Sequence, residues 1–212
     1  MRLLEYSVLS LLIVLAVLTN ARGQNSVTPK IHPPTKHKGS DTVGVVNGTL
    51  ITYRDFKVEL KHTMSEHMSE ITGGKVSDSL YTKYVNLTWD KMVGDILMEY
   101  EIKKRAIHIT KEEAIKRILT DPPEPFKQSF TDSIGAFHPE ALKSYIQQSD
   151  KDSLRDGAIA YYQLVYEQDE FMKQIAPHAA TEAERKKIVD EWIHKRSMKA
   201  NIDDRRTAFG FY

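Results

Sequence analysis

The sequence predicts an all-α protein that opens with one short β-hairpin. Three observations carry this. Apolar residues recur at three- and four-residue spacing through several segments, as on the buried face of a helix. Three Thr-x-x-acid sequences, at Thr52, Thr110 and Thr181, stand where such segments begin and resemble capping boxes. Only VVNGTLIT, at 45–52, places β-branched and apolar residues on both sides of an Asn-Gly pair.

Asn47-Gly48 tolerates positive φ at both central positions of a type I′ turn, so Val45-Val46 and Leu50-Ile51 can pair across it. Strands this short are not stable alone and need a packing partner. Thr52 with Asp55 opens the first helix, with Phe56, Leu60, Met64, Met68 and Ile71 on its apolar face and Gly73-Gly74 as its stop. Met64 and Met68 are either core packing or a soft, adaptable contact surface. Ser77 or Asp78 caps the second helix, whose stripe is Val85, Trp89, Met92, Val93, Ile96 and Tyr100. Thr110 and Glu113 open a short helix through Leu119.

Asp121-Pro-Pro-Glu-Pro125 then forbids helix, because proline removes a donor and restricts its predecessor. Pro139 suits a first helical position, followed by Leu142, Tyr145 and Ile146 on one face. A long helix from about Asp152 to Ile175 carries Leu154, Ala158, Tyr161, Val165, Met172 and Ile175, and Ala176-Pro177 breaks it. The last helix runs from Thr181 to about Thr207, with Ile188, Trp192, Ile193, Ala200 and Ile202, and should pack mainly through Trp192. The total is six helices.

At roughly 100–200 residues per domain, 212 residues make one domain or one with a small addition. Residues 1–23 read as a signal peptide, with an uncleaved anchor or a buried helix as the alternative. Val8 to Leu18 is apolar, Ala21-Arg22-Gly23 is a small-x-small site, and cleavage is expected before Gln24. The apolar run is short of the about 20 residues that a span needs, so no membrane span is expected after cleavage. Residues 24–42 are polar and rich in Pro and Lys, and read as a disordered tether. The chain has no cysteine, which for an exported protein fits the bacterial periplasm or cell surface.

Of 30 basic and 29 acidic residues, Arg2, Arg22 and Glu5 lie in the leader, leaving 28 of each. A balanced chain is no nucleic-acid binder, which needs a basic excess. His62 and His67 are spaced five apart and share no ligand face, so no metal is expected. No phosphate loop, nucleophile elbow or Cys nucleophile is present, and no catalytic residue or cofactor is expected.

The hairpin sequence Val45-Val-Asn-Gly-x-x-Ile51-Thr-x-x-Asp55-Phe is followed by Trp89, Ile96-Leu97, Glu101-Ile-Lys-Lys and Ile107-His-Ile-Thr-Lys-Glu-Glu113. This order resembles the N-terminal chaperone domain of the SurA and PpiD family of periplasmic foldases. The stretch from Asp121-Pro-Pro through Phe130-Thr-Asp-Ser-Ile-Gly-Ala-Phe137 resembles the PpiD-type version, and Trp192-Ile-His-Lys-Arg resembles the last helix of SurA. The resemblance implies a SurA N-terminal-like helical domain over 43–176, completed by a C-terminal helix and aromatic tail over 177–212.

Family members usually carry parvulin isomerase modules of about 90–100 residues, close to ordinary domain size, between these two parts. Here only Ala176 to Thr181 separates the helices. The resemblance therefore implies a holdase-type chaperone of the periplasm, with no isomerase activity, that takes unfolded outer-membrane or secreted polypeptides. The alternatives are a dedicated accessory subunit for one envelope partner, and a parvulin-type peptidyl-prolyl isomerase. Candidate client contacts are Phe126, Phe130 and Phe137 on the Pro-rich connection, with Met64 and Met68. The three phenylalanines either line a cradle or plug the core.

Overall fold

The Asn-Gly pair forms the turn that its residues dictate. Asn47 and Gly48 both take positive φ, 48° and 86°. They join β1, Thr42–Val46, to β2, Thr49–Thr52, antiparallel with Val46 opposite Thr49 and Gly44 opposite Ile51. The structure is a computed structural model and describes residues 37–70, 76–148 and 152–211. The signal peptide, residues 24–36 of the tether, and the stop at Gly73-Gly74 lie outside the described residues.

Described residues fall into two compact units, one of 37–104 with 172–211 and one of 105–171. In the first, Thr52 caps α1, Tyr53–Glu66, by accepting from the Asp55 N–H. α2 is Asp78–Lys104 and packs on α1. The expected stripe of α2 is buried at Val85, Trp89, Met92 and Val93, but Tyr100 is exposed and Leu97 takes the core position beside it. α1 stops at His67, which leaves the helical region at φ −107°, ψ 23°. Met68 therefore enters a separate 3₁₀ turn and drops out of the stripe, with 61% of its surface exposed.

The end of the chain differs most from the sequence reading. α7, Glu182–Ser197, is capped by Thr181 as expected, yet it ends well before Thr207. Ile202, read as a helical stripe position, instead begins β3, Ile202–Asp204. β3 pairs antiparallel with β1 and makes a three-stranded sheet in the order β2-β1-β3. Asn47 directs this closure. Its N–H donates to the Asn201 carbonyl at 2.9 Å, and its Oδ1 accepts the Asn201 N–H at 3.0 Å. The strand is short and acidic, so it has little local signature, and its partner lies over 150 positions away in sequence.

Beyond β3 the tail docks on the same core. Phe211 is buried against Phe56, with ring centroids 4.7 Å apart. Arg206 holds the approach: its guanidinium lies 4.7 Å over the Trp89 ring and donates to Asn86 Oδ1 at 2.9 Å. Burial opposes the charge of Asp204, but hydrogen bonds from Arg206 and its positive charge prevail and hold that carboxyl below the usual range. Residues 37–41, expected in the tether, are folded as well. The His37 ring packs 4.4 Å from Phe209, and Asp41 O accepts the Tyr53 N–H.

α7 buries Val189 and sets Ile193 against Gly94 of α2, where the missing side chain allows close approach. Trp192 is half-buried, so it is not the principal anchor. Gly44 has a comparable role. A Cβ there would meet Trp89 Cζ3 at 2.7 Å and the Asp203 carbonyl at 2.9 Å, so the glycine lets β1 lie under the indole and beside β3.

The second unit holds α3, Lys111–Thr120, α4, Glu124–Ser129, α5, Pro139–Gln147, and the part of α6, Ser153–Ile175, through Phe171. Thr110 caps α3 as expected. α4 corrects the reading that 121–125 forbids helix. Its prolines stand at the entry, where a missing N–H removes a donor that would be orphaned anyway. Seven α-helices thus occur among the described residues. Leu154, placed on the apolar side of α6, is 54% exposed.

Candidate functional site

The second unit gathers its aromatic residues around one cluster. Ile109, Ala114, Ile118, Leu142, Ile146 and Ile159 form its centre, with Phe126 and Tyr162. Phe126 is 7% exposed and sits 5.5 Å from the Tyr162 ring, so it plugs the core and is no open contact. Burial pushes the Tyr162 hydroxyl up to about 12, and the neighbouring Tyr161 and Tyr166 add to the shift. Phe130 and Phe137 are half-buried and pack on this cluster from outside, with Phe130 5.5 Å from Tyr145.

Between those two phenylalanines runs a tightly determined loop. Thr131 and Phe137 form an antiparallel bridge, and His138 N–H donates to the Phe130 carbonyl at 2.8 Å. Asp132 Oδ1 accepts the N–H groups of Ile134 at 3.0 Å and Ala136 at 2.9 Å. Its Oδ2 lies 3.0 Å from His138 Nε2. The Ala136 amide first, then His138, hold the Asp132 carboxyl below its usual range. Gly135 takes φ 87°, which lets the chain reverse. At the tip Ile134 is 87% exposed, the most exposed large hydrophobic residue described.

A second concave feature of this unit is polar. Glu113, Lys116, Arg117, Asp121, Tyr166 and Asp169 line a groove of about 340 Å³. Arg117 closes its own side by donating to Glu113 at 3.0 Å and Glu170 at 2.9 Å, while lying 5.3 Å over Tyr166. Its cation is thus already matched within the fold.

The predicted contact residues do not form one set. Phe130 and Phe137 flank the loop, and Phe126 lies beneath it in the core. Met64 and Met68 belong to the other unit, where Met64 is 5% exposed and packs in the core. Ile134 was not singled out from sequence. The signal for it is local: Asp132-Ser-Ile-Gly135 is a turn sequence with a large apolar residue at a position that has nothing to pack on. His108 lies in the connection after α2 and meets Glu167 at 3.1 Å. Among the described residues no cluster of three potential ligands could hold a metal ion.

A family model described as the SurA-like N-terminal domain matches residues 6–146. The chain belongs to this family. The match covers about two thirds of the chain, including the hairpin, α1 to α5 and the 130–138 loop, and stops before α6. No curated protein matches the chain, and no solved structure does. The SurA-like N-terminal domain is a non-catalytic chaperone domain, which gives the chain a chaperone-like role in general, toward polypeptides. No described helix is long and apolar enough to cross a membrane.

Proposed function

We propose that this SurA-like protein is a holdase-type chaperone of the periplasm that binds extended segments of unfolded outer-membrane or secreted chains without isomerase activity. The reading rests on one observation above all: the braced loop over 130–138 carries Ile134 at 87% exposure, with half-buried Phe130 and Phe137 at its base. Ordering a loop before binding lowers the entropy lost when a client docks. An apolar tip offers contact without demanding a particular client sequence. Export and cleavage before Gln24 belong to the same proposal.

The test joins two measurements. The protein is assayed for suppressing aggregation of several unrelated unfolded proteins, and a photo-crosslinker is placed at Ile134. Suppression of several substrates, weakened in Ile134→Asp, with crosslinks to many envelope proteins, is the expected result. A single crosslinked partner at fixed stoichiometry, with no suppression, assigns the chain to a dedicated accessory role. Catalysis in a proline-peptide assay above background returns the isomerase reading.

A further inference from the structure

We propose that the end of the sheet-bearing unit where α2 and α7 finish docks peripherally on an anionic bilayer surface. Two large side chains stand in water there: Tyr100 near the end of α2, 55% exposed, and Met198 just past α7, 76% exposed. Tyr100 shares the wall of a shallow hollow with half-buried Trp192, together with Glu101, Arg196 and Lys199. The hollow holds about 80 Å³, well short of the roughly 300–1,000 Å³ of a small-molecule pocket, so the feature is a surface and not a ligand site.

Charge favours an anionic surface. Lys103, Lys104, Lys195, Arg196 and Lys199 stand at this end against Glu99 and Glu101, an excess of three positive charges. Glu101 is 5% exposed and is neutralised by Arg196 at 3.3 Å and Lys104 at 4.0 Å. Glu99 is paired with Lys103. Exposed Lys195 and Lys199 have no carboxylate partner among the described residues. Cations in a last helical turn also offset the helix dipole, which accounts for Lys103, Lys104, Lys195 and Arg196. It accounts neither for Lys199, which lies beyond α7, nor for Met198 in water.

The side-chain types select a bilayer over an acidic polypeptide. Trp and Tyr are amphipathic rings suited to headgroup depth, and Lys can keep its ammonium among headgroups while its stem lies on apolar surface. An acidic chain would use the cations but leave Met198 and the rings without a role. The proposal is independent of how clients bind.

The two tryptophans make the test direct. Trp89 is 6% exposed and Trp192 half-buried, so quenching by brominated lipid reports on Trp192. Full-length protein is mixed with vesicles of phosphatidylcholine, with and without phosphatidylglycerol. Quenching is compared per bound protein, because the apolar 8–18 segment can attach the chain to either. Quenching on the anionic vesicles alone is expected, and salt should abolish it. At roughly five-fold in partitioning per cation, Lys104→Glu with Lys199→Glu should weaken it at least about twenty-fold. Met198→Ser should weaken it further without altering the salt dependence. Equal quenching on both vesicle types, or quenching indifferent to charge reversal, overturns the proposal. Binding of soluble polyglutamate with no lipid quenching overturns it too, and assigns the surface to an acidic polypeptide.

Discussion

Phe211→Ala should destabilise the sheet-bearing unit far more than a change in a C-terminal tail ordinarily does. Phe211 is 4% exposed, and its ring lies 4.7 Å from Phe56 and 5.7 Å from Tyr53. Truncating a buried Phe costs ~3–5 kcal/mol through lost transfer energy and the cavity left behind. The tail is held on one side by Gly210, in the left-handed region at φ 77°, and has freedom to relax, so the lower end, ~3 kcal/mol, applies. For a unit of this size each kcal/mol moves the midpoint by roughly 4 °C, which gives about 12 °C. Thermal unfolding followed by near-ultraviolet circular dichroism reads this directly. Phe209→Ala, at a half-buried site, is the control and should shift the midpoint by much less. A shift below about 3 °C for Phe211→Ala would refute the conclusion that the C-terminal tail completes the core around Phe56.

Gly44→Ala should be strongly destabilising, by ~1–3 kcal/mol or more in chemical denaturation, because a Cβ would meet the Trp89 ring at 2.7 Å and the Asp203 carbonyl at 2.9 Å. Ala106→Gly should stabilise: Ala106 sits at φ 52°, where an L-residue loses roughly 1–2 kcal/mol and Gly returns part of that as chain entropy, for a net gain of about 0.5–1 kcal/mol. Thr110→Ala removes the oxygen that accepts the Glu113 N–H at 3.1 Å and should cost ~1 kcal/mol by equilibrium unfolding. The Asp132 carboxyl is held below its usual range, so its contribution to loop order is complete above the ordinary carboxylate range and is lost as pH falls through the folded value. Protection factors for hydrogen exchange at the Ile134 and Ala136 amides should fall in acid, and Asp132→Asn should flatten that dependence.

Much of the helical layout was legible because it is written locally. Thr52, Thr110 and Thr181 each cap the helix that their spacing announced. The hairpin was equally readable, since Asn47 and Gly48 tolerate a backbone shape that few other pairs do. The misses have physical causes. α4 was hidden because proline forbids a helix interior but not its first turn. Tyr100 and Leu154 fit an apolar period, yet periodicity cannot say how far along a helix its partner extends. The predicted contact set was split for the same reason. Aromatic character marked Phe126, Phe130 and Phe137 alike, and only packing separated the buried one from the two at the loop base.

What the sequence determined by itself is what neighbouring residues decide among themselves: caps, the Asn-Gly turn, the break at Ala176-Pro177, and the family to which the hairpin and its helices belong. Tertiary structure decided how the chain closes. Ile202-Asp-Asp204 has no strand signature of its own and becomes a strand because β1 offers an unpaired edge and Asn47 fixes the register through Asn201. Met68 and Ile134 are apolar residues that stay in water, an outcome set by where the backbone turns and not by hydrophobicity. Hydrogen bonds within four residues are encoded locally. Burial and strand pairing depend on residues brought together from opposite ends of the chain, and their energies appear only once the core has formed.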